Sequence, residues 1–321
     1  MLRLAVDIPS YRRAAASFEA LTQVALSKSS LQELVQEYGG RLVEQEAQQA
    51  EALSALPAGE WPGRPLPCPE AAEETMAVSL DGVMLNVRGE GWKEAKIAAL
   101  SVVEQQQGSP EPEVQLTQHS YCAGLWDAAT FGCQQWAEAW RRGLPRARCV
   151  VAVSDGAAWI WALVITFFAP CVQIIDWWHA VQRVWAIAYA VYGQGTPLAA
   201  QGGARLKELL WAGDLRGLVH ELRAHWPRGR ELPDGLRQAL GYLFRQRRRL
   251  RYPLYRQAGY PIGSGTVEAG CKVVVQERLV QRGMRWSRRG AQALLALRCA
   301  LLSDRWDTTW RSLVPLAAQL A

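Results

Sequence analysis

The sequence predicts an α/β fold in which a mixed β-sheet is covered by helices. Residues 76–87 alternate apolar and polar side chains with the period of a strand, and residues 94–103 predict a second strand. Residues 148–154 form an almost continuous apolar run, which is typical of a strand buried on both faces. Two segments of helical composition, residues 128–142 and 157–168, supply layers that cover such a sheet.

The order of these elements narrows the fold class. Residues 121–125 predict a third strand before the first helix, and residues 172–176 predict a short strand after the second helix. The chain therefore runs through three strands, a helix, a strand, a helix and a strand. This order is the one found in RNase H-like folds, which combine a mixed sheet with flanking helices.

The N-terminal part of the chain is predicted to be helical. Residues 21–39 read as a helix, a short turn and a second helix, with Ser29 or Ser30 capping the second helix and Gly39 ending it. The pattern also fits a DNA-binding helix-turn-helix. However, the second helix exposes two glutamates that phosphates would repel, so a packing role is favoured.

Four segments follow from these patterns. Residues 56–69 are rich in Pro and Gly and cannot continue a helix, so they predict a linker. We expect a helical N-terminal segment with this linker over residues 1–70, and the first part of the sheet over residues 71–178. An all-helical insertion is predicted over residues 179–258, and a C-terminal helical part of the core over residues 259–321.

Positive charge is concentrated in the last third of the chain. The formal net charge is +6. Between Arg237 and Arg289 a dense series of arginines is opposed only by Glu268 and Glu277. A surface of this sign attracts polyanions and makes their binding fall with salt, although a merely solvated basic face has the same composition.

The spacing of the seven cysteines and the length of the apolar segments indicate the cellular compartment in which the protein resides. The cysteines contain no Cys-x-x-Cys pair, which fits reduced thiols better than a disulfide framework or a zinc site. The longest apolar stretch, residues 157–170, is too short to span a bilayer, and no signal peptide is recognisable. We therefore expect a cytoplasmic protein without a membrane partner.

Three acids stand at the strongest structural signals. Asp81 interrupts the first alternating strand, Asp155 ends the buried apolar run, and Glu268 opens a helix. Such carboxylates suit hard divalent ions, and two ions held roughly 3.5–4 Å apart promote in-line displacement at phosphorus. The plainer interpretations are a hairpin at Asp81, a turn at Asp155 and a helix-dipole acid at Glu268.

A glycine-rich turn precedes the last of these acids. Gly263 and Gly265 flank Ser264, and glycines permit positive φ and close approach of a phosphate to backbone N–H groups at a helix N-terminus. Such a turn on its own is weak evidence for a phosphate site.

Four motifs together resemble a known family. They are DGAAWIW, DWWHA, GSGTVEAGCK and RGMRW, at residues 155–161, 176–180, 263–272 and 282–286. They resemble DDE transposases of the ISKra-type insertion-sequence family over roughly residues 77–302. Members of that family carry a longer N-terminal DNA-recognition region, so the resemblance implies that this chain is a shortened or decayed copy.

The resemblance implies a site. Asp81, Asp155 and Glu268 match the catalytic, metal-binding acids, which hold two Mg²⁺ or Mn²⁺ ions. Asp176 and His179 match an accessory Asp-x-x-His element. The imidazole of His179 would orient a carboxylate or contact the scissile phosphate. A hydrogen-bonded structural role at a strand-to-helix junction is the favoured alternative.

The resemblance also implies partners. The expected partner is double-stranded DNA, both the terminal inverted repeats and the target, bound by a homodimer or larger assembly that associates with the nucleoid. Trp286 is a candidate for base stacking, with packing of the last helix favoured. The candidate DNA-binding residues are Lys272, Arg278, Arg282, Arg285, Trp286, Arg288 and Arg289.

Three other functions fit parts of the pattern. An RNase H-like nuclease would cut DNA but not join it, and a transposon-derived protein without catalytic activity would only bind it. A glycoside hydrolase would use paired carboxylates with Trp platforms, but the basic run near Glu268 argues against that class.

Overall fold

The computed structural model describes residues 1–54, 74–106, 113–226, 229 and 231–314. The predicted linker lies outside the described residues. One five-stranded sheet forms the centre of the fold, with strands in the order β3-β2-β1-β4-β5. The strands are β1 (Thr75–Val87), β2 (Gly91–Gln106), β3 (Glu113–Gly124), β4 (Cys149–Ser154) and β5 (Val172–Ile175).

The directions of the strands establish the fold class. β1 pairs with β2 and β2 with β3 in antiparallel fashion, whereas β1 pairs with β4 and β4 with β5 in parallel. Three antiparallel strands followed by two parallel strands, joined through helices, make the RNase H-like arrangement that the element order predicts. β2 and β3 extend beyond their predicted bounds because their outer halves carry polar side chains, which weaken the apolar signal.

Fourteen α-helices are described around this sheet. They are α1 (Leu2–Asp7), α2 (Tyr11–Thr22), α3 (Lys28–Ser54), α4 (Ala128–Arg141), α5 (Ala158–Phe168), α6 (Trp177–Tyr192), α7 (Pro197–Trp211), α8 (Leu215–His225), α9 (Asp234–Gln246), α10 (Tyr252–Gln257), α11 (Gly265–Gly270), α12 (Glu277–Leu279), α13 (Arg288–Leu302) and α14 (Trp306–Leu313). Between β5 and α11 the described residues form no strand, which confirms the all-helical insertion.

The two faces of the sheet bury separate apolar cores. Met76, Val78 and Leu80 of β1 belong to the core formed with α4, α5, α6 and the insertion helices. Val83 and Leu85 point to the opposite face and pack with α1 to α3, α11 and α13. The period-two alternation of β1 therefore determines which helices cover which face.

The N-terminal helices pack instead of forming a helix-turn-helix. α3 runs without interruption past Gly39, so the prediction that Gly39 ends this helix is wrong. Gly39 lies where α3 crosses α13, and a Cβ there would come 2.5 Å from the carbonyl oxygen of Ala293. The start of α3 is also earlier than predicted, since the hydroxyl of Ser27 accepts a hydrogen bond from the Ser30 N–H at 3.0 Å.

A buried charge network joins α3, α4 and the start of α14. Arg141 and Arg305 approach the Glu138 carboxylate at 2.8 and 3.1 Å. Burial raises the pKa of Glu138, but Arg305 and Arg141 outweigh it and bring the pKa below its ordinary value. Burial raises the pKa of Glu46, which lies 3.7 Å from Arg305.

Arg298 ties the N-terminus to the C-terminal helices. Its guanidinium donates to the carbonyl oxygens of Val6 at 2.7 Å and Val274 at 2.9 Å, and also to that of Val273. The last two carbonyls belong to a π-helical segment, Cys271–Gln276, that joins α11 to α12. Among the described residues, no helix combines the length and the apolar composition that a bilayer crossing requires.

Candidate active site

The parallel strands bring two of the predicted acids side by side. The register of β1 and β4 pairs Val78 with Ala152. Continuing that register by three residues places Asp155 opposite Asp81. Neighbouring strands lie about 4.8 Å apart, and residues opposite each other point to the same face. β1 continues through Asp81 without a hairpin, as the sequence alternation predicts.

A third acid extends the row. β4 and β5 pair Ser154 with Ile175, so the next residues, Asp155 and Asp176, are also opposite each other. Ser154 is hydrogen-bonded to both neighbouring strands. Its hydroxyl accepts from the Leu80 N–H of β1, and its carbonyl accepts from the N–H of Asp176, which follows β5, each at 2.9 Å. Asp81 of β1, and Asp155 and Asp176 directly after β4 and β5, thus occupy neighbouring register positions at the carboxyl ends of β4 and β5.

Asp81 is half-buried and feels the neighbouring charges. Its carboxylate accepts hydrogen bonds from the Gly82 N–H at 2.7 Å and from the Cys271 thiol at 3.4 Å. Burial raises the pKa of Asp81 above its ordinary value, and the charge of Asp155 raises it further. The charge of His179 lowers this pKa, which places all of these groups within electrostatic reach of one another.

Asp155 also forms the turn that the sequence suggested. One carboxylate oxygen accepts from the Ala157 N–H at 2.8 Å, as in an Asx turn. The insertion packs directly on this turn, because a Cβ on Gly156 would lie 2.1 Å from the ring of Tyr242 in α9. Burial and the charge of Asp155 raise the pKa of Tyr242 to about 12.

Asp176 is a fully buried hydrogen-bond hub at the start of α6. One of its oxygens accepts from the backbone N–H of His179 at 2.8 Å and from His179 Nδ1 at 3.0 Å. The other accepts from the N–H of Ser264 at 2.7 Å and from its hydroxyl at 3.0 Å. A carboxylate offers about four acceptor positions, so all of those of Asp176 are used.

Ser264 connects Asp176 to Glu268 by hydrogen bonds. The hydroxyl of Ser264 lies 3.2 Å from Glu268 Oε1. Glu268 stands in the first turn of α11, immediately before the π-helical segment, and its side chain is exposed. π-Helical turns occur frequently at functional sites. Here the Cys271 thiol of this segment donates a hydrogen bond to Asp81, and burial and the charges of Asp81 and Glu268 all raise the pKa of the thiol.

The glycines beside Ser264 do not serve as predicted. Gly263 and Gly265 both lack a positive φ, whereas Gly259 has φ +66°. The Ser264 N–H donates to Asp176 at 2.7 Å. This hydrogen bond fixes the start of α11 against the residue that follows β5.

The tightest set of possible metal ligands is not the predicted one. Asp176, His179 and Glu268 each offer a ligand atom, and these atoms all lie within 4.8 Å of one another. Such a group can hold a metal ion. Asp81 and Asp155 are not in this group. Both nevertheless lie within electrostatic reach of the group, since the charge of Asp155 acts on His179 and the charge of His179 acts on Asp81.

His179 is held in one orientation. The hydrogen bond to Asp176 raises its pKa above the ordinary value, and the charges of Asp176, Asp155 and Glu268 raise it further. With Nδ1 donating to Asp176, Nε2 remains available to a ligand. Asp176 and His179 therefore form a hydrogen-bonded pair at the junction of β5 and α6, within electrostatic reach of Asp155 and Glu268.

A cavity of about 620 Å³ opens beside Glu268. Trp178 lines it and is 59% exposed, and Arg256 and Tyr260 lie on its other walls. The sequence assigns no role to Trp178, Ser264 or Cys271, although all three lie in the quoted motifs. Their positions become visible only in the structure, where Trp178 lines the cavity and Ser264 and Cys271 contact the acids.

The predicted DNA-binding residues divide into two groups. Arg278 is 1% exposed and donates to the carbonyl of Ala5 at 3.1 Å, so the prediction that it contacts DNA is corrected. Trp286 is also buried, and its Nε1 donates to the carbonyl of Leu279 at 2.9 Å, which is the favoured packing role. The exposed members are Lys272, Arg282, Arg285, Arg288 and Arg289.

Arg288 is exposed but already paired. Its guanidinium donates two hydrogen bonds to the carboxylate of Glu90, at 3.0 and 2.6 Å, and one to the carbonyl of Leu125 at 2.9 Å. The hydrogen bonds with Glu90 raise the pKa of Arg288 and lower that of Glu90. A phosphate at this position would have to compete with a carboxylate.

Fold and site together define the class: an α/β protein of RNase H-like topology with an acid cluster at the carboxyl ends of its parallel strands. No family model and no curated protein matches the chain. Among solved structures, the Drosophila P element transposase strand transfer complex is similar at 8% identity and a TM-score of 0.27, over 97% of this chain and 78% of that one. At such a TM-score the fold assignment rests on strand order and register alone.

Proposed function

We propose that this protein is a DDE-type DNA transposase of an insertion sequence, which cuts the ends of the element and joins the freed 3′-OH to target DNA. Asp81, Asp155 and Glu268 would be its catalytic residues. The observation that carries the proposal is the register of the parallel strands. Continued past its last paired residues, it aligns Asp81 of β1 with Asp155, which directly follows β4, while Ser264 links Glu268 to Asp176, which directly follows β5.

The hydrogen bonds favour these three acids as the metal ligands. All acceptor positions of Asp176 are used by His179 and Ser264. In contrast, Glu268 accepts one described hydrogen bond, and Asp155 one, so each retains a free oxygen. Asp81 accepts from Gly82 and from a thiol, which is a weak donor.

Oxygen-only ligands of this kind fit Mg²⁺ or Mn²⁺. A bound pair of such ions would supply activation of the attacking hydroxyl and stabilisation of the leaving 3′ oxygen. The protein's own contribution is to fix the carboxylates. Ser154 fixes the strand ends, and Asp176 fixes His179 and, through Ser264, Glu268. Asp176 would then act as a positioning residue behind the ligands, a role that hydrogen-bonded carboxylates commonly play.

The partner in this proposal is double-stranded DNA, with its terminal inverted repeats and its target. Lys272, Arg282, Arg285 and Arg289 are exposed on the segment that follows Glu268, where they would contact phosphates. The cavity beside Glu268 would take the nucleotide that carries the reacting phosphate, with Trp178 as a stacking surface. Binding of two element ends implies a homodimer or a larger assembly.

The test uses supercoiled plasmid carrying the element ends, with and without Mg²⁺. We expect wild-type protein to nick or cut the ends and to form strand-transfer products. Asp81→Asn, Asp155→Asn and Glu268→Gln should each abolish both products, while leaving DNA affinity within about threefold, because they remove metal ligands rather than phosphate contacts.

Asp234→Asn is the matched control, because its carboxylate is 84% exposed in the insertion and should be dispensable. Cutting without joining would replace the proposal by an RNase H-like nuclease. DNA binding without Mg²⁺-dependent cutting would replace it by a DNA-binding protein of transposon origin.

A further inference from the structure

A groove on the helical insertion gathers arginines away from the acid cluster. It has a volume of about 1200 Å³ and lies between α8 and the connection from α9 to α10. Five arginines line it: Arg216, Arg223, Arg247, Arg248 and Arg251. All five are exposed.

The helix α8 is oriented so that its basic side faces the groove. Arg216, His220 and Arg223 follow one another at spacings of four and three residues, which places them on one side of the helix. Leu218 and Leu222 are buried against the insertion. At 1.5 Å per residue the two arginines are separated by about 10 Å along the helix, a distance over which duplex DNA carries roughly six phosphate charges.

The five arginines of the groove differ from other arginines of the insertion in their ion pairing. Among the described residues, none of the five forms an ion pair, whereas Arg205 and Arg237 elsewhere on the insertion each pair with a carboxylate. Asp214 is the acid that lines the groove, and one of its oxygens accepts from the Gly217 N–H at 2.7 Å. The field inside the groove is therefore strongly positive.

Helix stability does not account for the position of Arg216. Arg216 lies in the first turn of α8, where the helix dipole disfavours positive charge. Arg248 and Arg251 follow the end of α9, where the dipole would favour them, but they converge on the same groove as Arg216. Phe244 adds an aromatic wall and is 44% exposed. A cluster of exposed arginines without a described ion pair matches the chemistry that neutralises the phosphates of duplex DNA.

We propose that this groove is a second DNA-binding surface, which holds the phosphate backbone of duplex DNA at a distance from the cutting site. The proposal deepens the transposase function and rests on it for the choice of DNA as partner. It concerns residues of the insertion that the candidate interface after Glu268 does not include.

The experiment compares two variants of equal charge. The groove variant combines Arg216→Gln, Arg223→Gln, Arg248→Gln and Arg251→Gln. The control combines Arg12→Gln, Arg13→Gln, Arg205→Gln and Arg237→Gln, all of which are exposed outside the groove. Arg247 is kept because it donates to the carbonyl of Phe244. Equal melting temperatures of the two variants establish that both are folded.

Binding of a labelled duplex is measured by fluorescence anisotropy in EDTA over a series of salt concentrations. We expect the groove variant to bind more than about tenfold more weakly than the control at about 0.1 M salt. The slope of log K against log salt should become shallower by about one for each phosphate contact removed. Equal affinities and slopes for the two variants would overturn the proposal.

The remaining outcomes separate this inference from the proposed function. Groove-dependent DNA binding without any Mg²⁺-dependent cutting would reject the transposase and retain the groove. Cutting that depends on the acids, together with unchanged DNA binding by the groove variant, would retain the transposase proposal and reject the groove as a DNA-binding surface. Wild-type protein that binds phosphatidylserine vesicles through the groove in preference to duplex DNA would also overturn the proposal.

Discussion

Asp176 holds its neighbours in place through the hydrogen bonds that its two oxygens accept. It is completely buried, and its two oxygens accept from four donors on His179 and Ser264. Burial raises the pKa of Asp176, but these hydrogen bonds outweigh it and keep the pKa below its ordinary value. A saturated carboxylate of this kind fixes its neighbours because each donor holds a separate part of the chain in place.

The hydroxyl of Ser264 transmits this order to Glu268. Ser264→Ala removes the contact with Glu268 and one of the four donors to Asp176. Loss of such a partner behind a metal ligand typically costs 10- to 100-fold in affinity, so we expect Mn²⁺ binding measured by calorimetry to weaken by about tenfold or more. Ser264→Thr, which retains a hydroxyl, should recover part of the affinity.

Thr266→Ala is the control for this change, because Thr266 lines the same cavity but makes no described hydrogen bond to the acids. Mn²⁺ affinity that is unchanged in Ser264→Ala, at an unchanged melting temperature, would remove the positioning role from Ser264.

The Glu138 carboxylate contributes stability in a pH-dependent way. Its folded-state pKa is lowered, so its contribution is present above its ordinary pKa of 4.5 and is lost as the pH falls through the folded-state value. Glu138→Gln leaves Arg141 and Arg305 without this partner. Breaking a buried pair costs about 3–5 kcal/mol, which urea denaturation at neutral pH would measure.

The difference between wild type and Glu138→Gln should shrink as the pH falls below about 4.5, since the wild-type carboxylate then becomes protonated as well. A difference of the same size at acid and neutral pH would show that the charge of Glu138 is not what stabilises the network.

At the scale of the elements, the buried strands could be predicted from the sequence, but the places where one helix crosses another could not. Period-two alternation located β1, and the apolar run located β4, because each pattern reflects which side chains are buried. The sequence could not distinguish a glycine that ends a helix from one that admits a neighbouring helix. Gly39 does the second, since its close neighbour Ala293 lies more than 250 residues away in the chain.

Contacts between residues that are distant in the chain were also not predictable at the candidate site. The strand-end acids were recognisable because a carboxylate beside apolar alternation is unusual. The contacts of Ser264 and Cys271 were not, because they depend on how the turn before α11 and the π-helical segment lie on the sheet. Arg278 looked like a surface base, but the carbonyl of Ala5 and the rings of Tyr11 and Trp286 enclose it.

Adjacent glycines in α3 give a matched test of the helix crossing. Gly39→Ala places a Cβ 2.5 Å from a carbonyl oxygen of α13 and should destabilise the protein by about 1–3 kcal/mol through overpacking. Gly40→Ala has Arg289 Nη2 as its nearest neighbour at 3.9 Å, so it should be neutral or stabilise by about 0.5–1 kcal/mol. Urea denaturation measures both.

Equal free energies of unfolding for these two variants would mean that α3 does not approach α13 as closely as described. The reverse order, with Gly40→Ala the less stable, would place the crossing one residue further along α3.

For the whole molecule, the fold separates two kinds of charge. Acids of β1 and α11 and those that directly follow β4 and β5 lie near the carboxyl ends of the parallel strands, while arginines collect in the groove of the insertion. The insertion also touches the turn after Asp155, since Tyr242 of α9 packs on Gly156. DNA held by the groove would therefore be bound to an element that contacts this turn.

The central claim is that Asp81, Asp155 and Glu268, from distant parts of the chain, surround one divalent-ion site. Fe²⁺ bound there in place of Mg²⁺, in the presence of ascorbate and peroxide, would generate hydroxyl radicals that cut the backbone near its ligands. We expect cuts near residues 81, 155 and 268 in the same preparation, all suppressed by excess Mg²⁺. Cuts confined to residues 176–179 and 268, with none at 81 or 155, would contradict it.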